Sequence, residues 1–186
     1  MRILWIAATA GNYQSPHSCG GGYNGGGWIS SMQNELAKRD DIKLGIAFCR
    51  NGEPAKVEQD GVVYYPIPHH TKSKKDKILD LFKLNDATRD EVLWPYYEHK
   101  FKEVIEDFKP DVIHIFGSEL YHGLAARVAG NIPMVLHIQG LLSLYIYIFL
   151  PPGISAWEFY MSGKGLKGKY LNYQSLAYWH RSVHGE

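Results

Sequence analysis

Six glycines fill eight positions in Gly20-Gly-Gly-Tyr-Asn-Gly-Gly-Gly27, between an apolar opening segment and an amphipathic stretch that begins at Trp28. A strand, a glycine-rich turn and a helix start make an anion site. Glycine lets backbone N–H groups approach a ligand closely, and the helix start adds partial positive charge. Read as a template, Gly20-x-Gly22-x-x-Gly25 satisfies the dinucleotide fingerprint. In that fingerprint, however, the glycines sit in the tight turn directly after the first strand, and an acid closes the second strand on a ribose. Here Thr9 to Cys19 intervene, and the second apolar run ends at Cys49-Arg50-Asn51 with no acid before Glu53. Arg50 can serve a ribose phosphate, so an NADP-linked reading is demoted but stays open. No Gly-Lys-Ser/Thr follows the glycines, which excludes a P-loop. A flexible loop without a ligand is the plain alternative, although six glycines cost folding entropy that a stiffer loop avoids.

The elements that must hold this loop are legible from periodicity. Apolar runs at Arg2–Ala8, Lys43–Cys49, Gly61–Ile67, Asp111–Phe116 and Pro133–Ile138 read as strands, the third stopped by Pro66 and Pro68. Helical spacing joins Trp28, Ile29, Met32, Leu36 and Ala37 in a helix over 27–39. A second helix is expected from about Pro95 to Lys109, and a third over Glu119–Ala129. Residues 69–93 are polar and lysine-rich and read as a surface excursion with a short helix near 78–84. Strands alternating with helices predict an α/β domain, a doubly wound, mostly parallel sheet of Rossmann-like form with helices on both faces.

Composition bounds the function. The 186 residues are 45% hydrophobic, enough for one ordinary core, and the net charge of +1 lends nucleic-acid binding no support. Two cysteines make neither a disulfide framework nor a zinc pattern. The apolar start is short for a signal peptide and runs straight into the glycine loop. No apolar stretch reaches the roughly 20 residues of a membrane span; 141–150 is about half that. These features predict a cytoplasmic protein. His69-His70 with Lys72, Lys74, Lys75 and Lys77 reads as a solvated loop or a meeting point for an anionic acceptor or headgroups. The run 141–150 with Trp157, Phe159 and Tyr160 reads as a pocket wall, as a membrane-interface contact, or as apolar surface that another domain covers.

Three segments carry a resemblance to a known family: Gly25-Gly-Gly-Trp-Ile-Ser-Ser-Met-Gln-Asn-Glu-Leu36, Lys109-Pro-Asp-Val-Ile-His-Ile-Phe-Gly117 and Ile132-Pro-Met-Val-Leu-His-Ile-Gln-Gly140. In order and spacing, over about residues 1–140, the chain resembles the N-terminal, acceptor-side domain of a GT-B glycosyltransferase of family 4. The resemblance implies that 1–186 is one Rossmann-like domain of a truncated chain, whose C-terminal donor-binding domain lies outside the sequence. It further implies a nucleotide-sugar donor, a sugar or lipid-linked acceptor, retention at the transferred carbon, and no activity for this piece alone; peripheral contact with the inner face of a membrane is the expectation that the lysine-rich segment and the run 141–150 add. The nucleotide-sugar is then a substrate, with no cofactor and no metal expected.

Glycosyl transfer requires stabilising a departing diphosphate, placing an acceptor hydroxyl and excluding water. The resemblance assigns Gly25, Gly26 and Gly27, with Asn24, to the loop facing the donor diphosphate. It assigns His137, at the end of a predicted strand, to a hydrogen bond beside the reacting sugar, with a backbone-bonded buried histidine as the alternative. Ser118, Glu119, His122, Gln139 and Gly140 share that sheet edge as candidates for the acceptor. Glu119 reads equally as a first-turn acid beside a helix dipole, and His114 reads as structural. An NADP-linked oxidoreductase and a non-catalytic sugar- or nucleotide-binding module remain the other classes.

Overall fold

The structure, a computed structural model, describes residues 1–15, 27–79, 91–117, 121–138 and 148–185. The chain gathers into two compact units, Met1–Thr71 with Leu93–Gln139, and Lys72–Val92 with Gly140–Glu186.

The first unit holds a six-stranded sheet: β1 (Arg2–Ile6), β2 (Lys43–Cys49), β3 (Val57–Gln59), β4 (Val62–Ile67), β5 (Val112–Phe116) and β6 (Met134–His137), in the order β3-β4-β2-β1-β5-β6. All pairs are parallel except β3 with β4. Helix α1 (Gly27–Ala37) covers one face, and α3 (Trp94–Phe108) covers the other with a 3-10 helix at His122–Arg127. The fold is α/β and Rossmann-like.

Strand parity builds the two faces. Leu4 and Ile6 of β1 point into a core shared with Tyr97, Phe101, Val104, Ile105 and Phe108 of α3. Their neighbours Trp5 and Ala7 point the other way, to Ile29 of α1 and to Ile46 and Tyr64. The α3 spacing of 97, 101, 104, 105 and 108 is one apolar stripe of a 3.6-residue period. Lys109 ends this helix in the left-handed region (φ 50°), its N–H returning to Ile105 O at 2.8 Å, and Pro110 prevents continuation. Arg2 seals the same end. Its Nε donates to the Phe108 carbonyl at 2.7 Å, with Nη2 on the same oxygen, so a cation sits at the negative pole of the helix.

Two elements depart from the periodicity. β3 is a three-residue antiparallel strand that its polar Glu58 and Gln59 conceal. Pro66 lies inside β4 and does not stop it. Arg50 N–H donates to Ile67 O, so Ile67 faces β2 and the nitrogen of Pro66 faces the opposite side. β3 pairs no further along than Tyr64, so no ladder bond is lost there. The segment after β5 forms the 3-10 helix rather than an α-helix. β6 is an edge strand whose Met134, Val135 and Leu136 are all exposed; no described strand pairs beyond it.

The second unit contains α2 (Lys74–Leu79), α4 (Ala156–Met161) and α5 (Gly165–Gly185). Lys74, Lys75 and Lys77 lie on α2, which starts earlier than the lysine-rich sequence suggests. A capping box starts α4: Ser155 accepts from Glu158 N–H while Glu158 accepts from Ser155 N–H at 2.8 Å. Gly163 and Gly168 approach so closely that a Cβ on Gly163 would lie 2.4 Å from the Gly168 backbone. Trp157 and Leu166 are exposed, and the run 141–147 lies outside the described residues. No described helix is long and apolar enough to cross a membrane.

Candidate functional site

The strand order reverses between β1 and β5, and ligands of doubly wound sheets bind outside the carboxyl ends of the strands at such a point. Three chain segments converge there: the exit of β1, the end of β5 and the end of β6. The β1 exit is a packed turn rather than an open glycine bend. Gly11 takes φ +58°, and a Cβ on it would sit 2.3 Å from Gln33 Oε1. Gln33, 3% exposed on α1, accepts from Asn12 N–H at 3.0 Å and donates to the Tyr64 hydroxyl at 2.6 Å. Tyr13 follows, buried between Phe48 and Tyr64 with ring centroids 5.1 Å from each. Gln14 and Gln59 then exchange two hydrogen bonds, at 3.0 and 2.6 Å. The space where a dinucleotide fold puts its glycine turn and pyrophosphate is thus filled by anchored chain.

Trp28, the second residue of α1, reaches over the sheet to the other two strand ends. Its ring centroid lies 5.3 Å from Phe116 and 5.1 Å from His137. Phe116 and His137 are register partners across β5 and β6. Beyond them Gly117 turns at φ +86°, its N–H donating to the His137 carbonyl at 2.9 Å, which ties the two strand ends together. His114, one pleat back on the same face, stacks with His137 at 5.9 Å and 16° and lies 4.0 Å from Phe116. The result is a patch of Trp28, His114, Phe116 and His137 at the carboxyl edge, with Trp28 part-exposed and His137 exposed.

His114 and His137 differ in surroundings. Burial, and after it the charge of His137, hold the His114 imidazole below its usual 6.5. Its Nε2 is buried and meets no hydrogen-bonding partner among the described residues. Folding therefore favours the neutral ring. That contribution to stability is complete above pH 6.5 and is lost as pH falls below it toward the depressed folded value. NMR titration should give His114 a midpoint below 6.5, which His137→Ala moves upward. A midpoint at or above 6.5 would show that the ring is solvated.

Of the residues singled out in the sequence, His137 stands exposed at the carboxyl end of β6. Gly27 opens α1, and a Cβ placed on it would meet no described atom within 4 Å, so no described residue crowds the helix start. His122 is placed differently: it is 2% exposed within the 3-10 helix and does not face solvent at the sheet edge. Asn24, Gly25, Gly26, Ser118, Glu119, Gln139 and Gly140 lie outside the described residues. Among the described residues no group of three His, Cys, Asp or Glu is placed to hold a metal ion. In the sequence, Trp28 reads as helix spacing and Phe116 as part of an apolar run. Nothing local marks them as neighbours of His137, because the sheet register brings them together.

Fold and edge thus define a Rossmann-like α/β protein with an aromatic–histidine patch at the carboxyl edge of its sheet. No protein-family model matches the chain, and no curated protein matches its sequence.

Proposed function

We propose that this chain is the acceptor-side domain of a glycosyltransferase that moves a sugar from a nucleotide-sugar to a sugar or lipid-linked acceptor with retention. The observation that carries the reading is the pairing of exposed His137 with part-exposed Trp28 at the carboxyl edge of the sheet. An indole offers an apolar face to the C–H side of a sugar ring, and an adjacent imidazole offers a hydrogen bond to its hydroxyls. The start of α1 at Gly27, which no described residue crowds, supports a diphosphate there, where N–H groups and the helix dipole favour an anion. The packed β1 exit speaks against the oxidoreductase alternative, since it occupies the place of the pyrophosphate turn. The donor's nucleotide then belongs to a second domain, and this chain alone should not turn over.

The test is a polypeptide that carries both halves, assayed with UDP- and GDP-sugars. His137→Ala should lower kcat by about 100-fold or more, the scale of losing one aimed donor in a transition state, with the circular dichroism spectrum unchanged. Full activity in that variant removes His137 from the site. Tight NADPH binding by the chain would replace the transferase reading altogether.

A further inference from the structure

The second unit leaves large apolar side chains in contact with solvent, and the packing of α4 with α5 explains why. Gly168 of α5 sets its backbone against Gly163, and Asn172, one turn on, donates through Nδ2 to the Phe159 carbonyl at 2.6 Å. The side of α5 that carries Gly168 and Asn172 therefore holds the end of α4. At 3.6 residues per turn the opposite side carries Leu166 and Tyr170, also one turn apart, with Lys167 and Leu171 flanking them. Leu166 is 90% exposed, and Tyr170, Leu171 and Lys167 are exposed as well. Helix α4 cannot cover them. None of its own residues is buried, and its Trp157 is 66% exposed. Close backbone approach and one amide hydrogen bond hold the pair, so its apolar side chains stay outside.

The charges beside this strip are of one sign. Between 148 and 176 the sequence has Lys164, Lys167 and Lys169 against a single acid, Glu158. That acid is turned back on the start of α4, where its carboxylate accepts from the Ser155 N–H and hydroxyl at 2.8 and 2.7 Å. Lys164 and Lys167 are exposed. The whole chain carries a net charge of only +1, so the excess of lysine is local to this unit.

A protein partner and a lipid surface both cover exposed apolar side chains, and the residue types separate them. The buried centre of a protein interface is depleted in lysine, because an ammonium there loses water and needs a partner charge. A bilayer surface accommodates the same mixture. Leucines enter the boundary of the acyl layer, tyrosine settles at headgroup level, and lysines lay their stems along the apolar layer while their ammonium groups meet the headgroup phosphates. Anionic headgroups also answer the local excess of cations. We propose that the outer side of the first turns of α5 binds the face of an anionic lipid bilayer. Leu166 and Tyr170 are its apolar anchors, and Lys164 and Lys167 its headgroup contacts. The helix lies on the bilayer, since no described helix is long and apolar enough to cross one. This surface stands on the helix pair alone and holds whether or not the sheet edge transfers a glycosyl group.

The test is co-sedimentation of the intact chain with vesicles of phosphatidylcholine, and with vesicles of equal phosphatidylcholine and phosphatidylglycerol. The chain should partition into the mixed vesicles at least about tenfold better than into the neutral ones, and added salt should erase most of that difference. Leu166→Gln with Tyr170→Gln keeps good helix formers on an exposed side, and so does Lys164→Gln with Lys167→Gln. Both double variants should keep the circular dichroism spectrum and melting temperature of the parent. Each should lower partition into the mixed vesicles by about tenfold or more. Val135→Thr with Leu136→Thr, on the exposed edge strand β6, should leave partition unchanged. The proposal is overturned if the chain sediments with neither vesicle, if both compositions bind it equally, or if the folded Leu166 and Tyr170 variant binds like the parent. It is also overturned if light scattering finds a dimer that this variant dissolves while lipid goes unbound, which would give the surface to a second copy.

Discussion

Gly45→Ala lowers the stability of the protein, and Gly45→Val lowers it further. Gly45 sits in the middle of β2, paired with Leu4, and a Cβ built on it meets Phe108 ring carbons at 2.9 Å. Phe108 cannot easily retreat. It is 1% exposed in the last turn of α3, and Arg2 holds the carbonyl of that same residue from the sheet side. Two effects compete. Removing a strand glycine recovers about 0.5–1 kcal/mol of unfolded-state entropy, while forcing a methyl into a closed core costs about 1–3 kcal/mol. Overpacking wins for alanine, and the branched valine adds volume against the same ring. The urea midpoint should fall in the order parent, alanine, valine with an unchanged slope. Phe108→Leu combined with Gly45→Ala should recover part of the loss, because the smaller side chain vacates the contested space. An alanine variant as stable as the parent would mean that α3 moves away freely, and the close packing of this face would be refuted.

The second large effect is expected at Gln33. Gln33→Leu keeps the size of the side chain but strands the Tyr64 hydroxyl and the Asn12 N–H, both of which it serves from a buried position. Each orphaned group costs about 1–3 kcal/mol, so the loss should be among the largest for a residue on α1. Its signature separates it from ordinary core damage. Tyr64→Phe added to Gln33→Leu should restore one share, since the stranded hydroxyl is then gone, whereas Tyr64→Phe in the parent should destabilise. Hydrogen exchange at Asn12 should quicken in the Gln33 variant beyond the global change in stability. Protection at Asn12 that follows only the global change would show that the turn after β1 is held by something other than Gln33. The point bears on function, because this turn fills the β1 exit.

The inner strands of the parallel sheet were legible because they are buried on both faces and so appear as unbroken apolar runs; Leu44 to Phe48 is one. The stripe along α3 and the stop at Lys109-Pro110 were legible for equally local reasons. β3 was not, since three residues with two polar side chains carry no period. Pro66 misled because its effect depends on which side of β4 has a neighbour. A helical projection sets Gln33 inside the apolar stripe of α1, between Ile29 and Ala37; its partners could not be read, because Gly11 and Tyr64 come beside it only in the fold. At the edge of the sheet, the position of His137 at a strand end could be read from the run that precedes it. The pairing of Arg50 with Glu53 and Tyr13 could not, for it closes only after β1 and β2 lie side by side.

By itself, then, the sequence determined that this is a Rossmann-like α/β protein, because hydrophobic period and backbone punctuation are properties of consecutive residues. The tertiary structure alone decided where the strand order reverses, that the β1 exit is a packed turn, and which side chains share the carboxyl edge. Those depend on register and packing between residues far apart in the chain, where no local pattern specifies the partner.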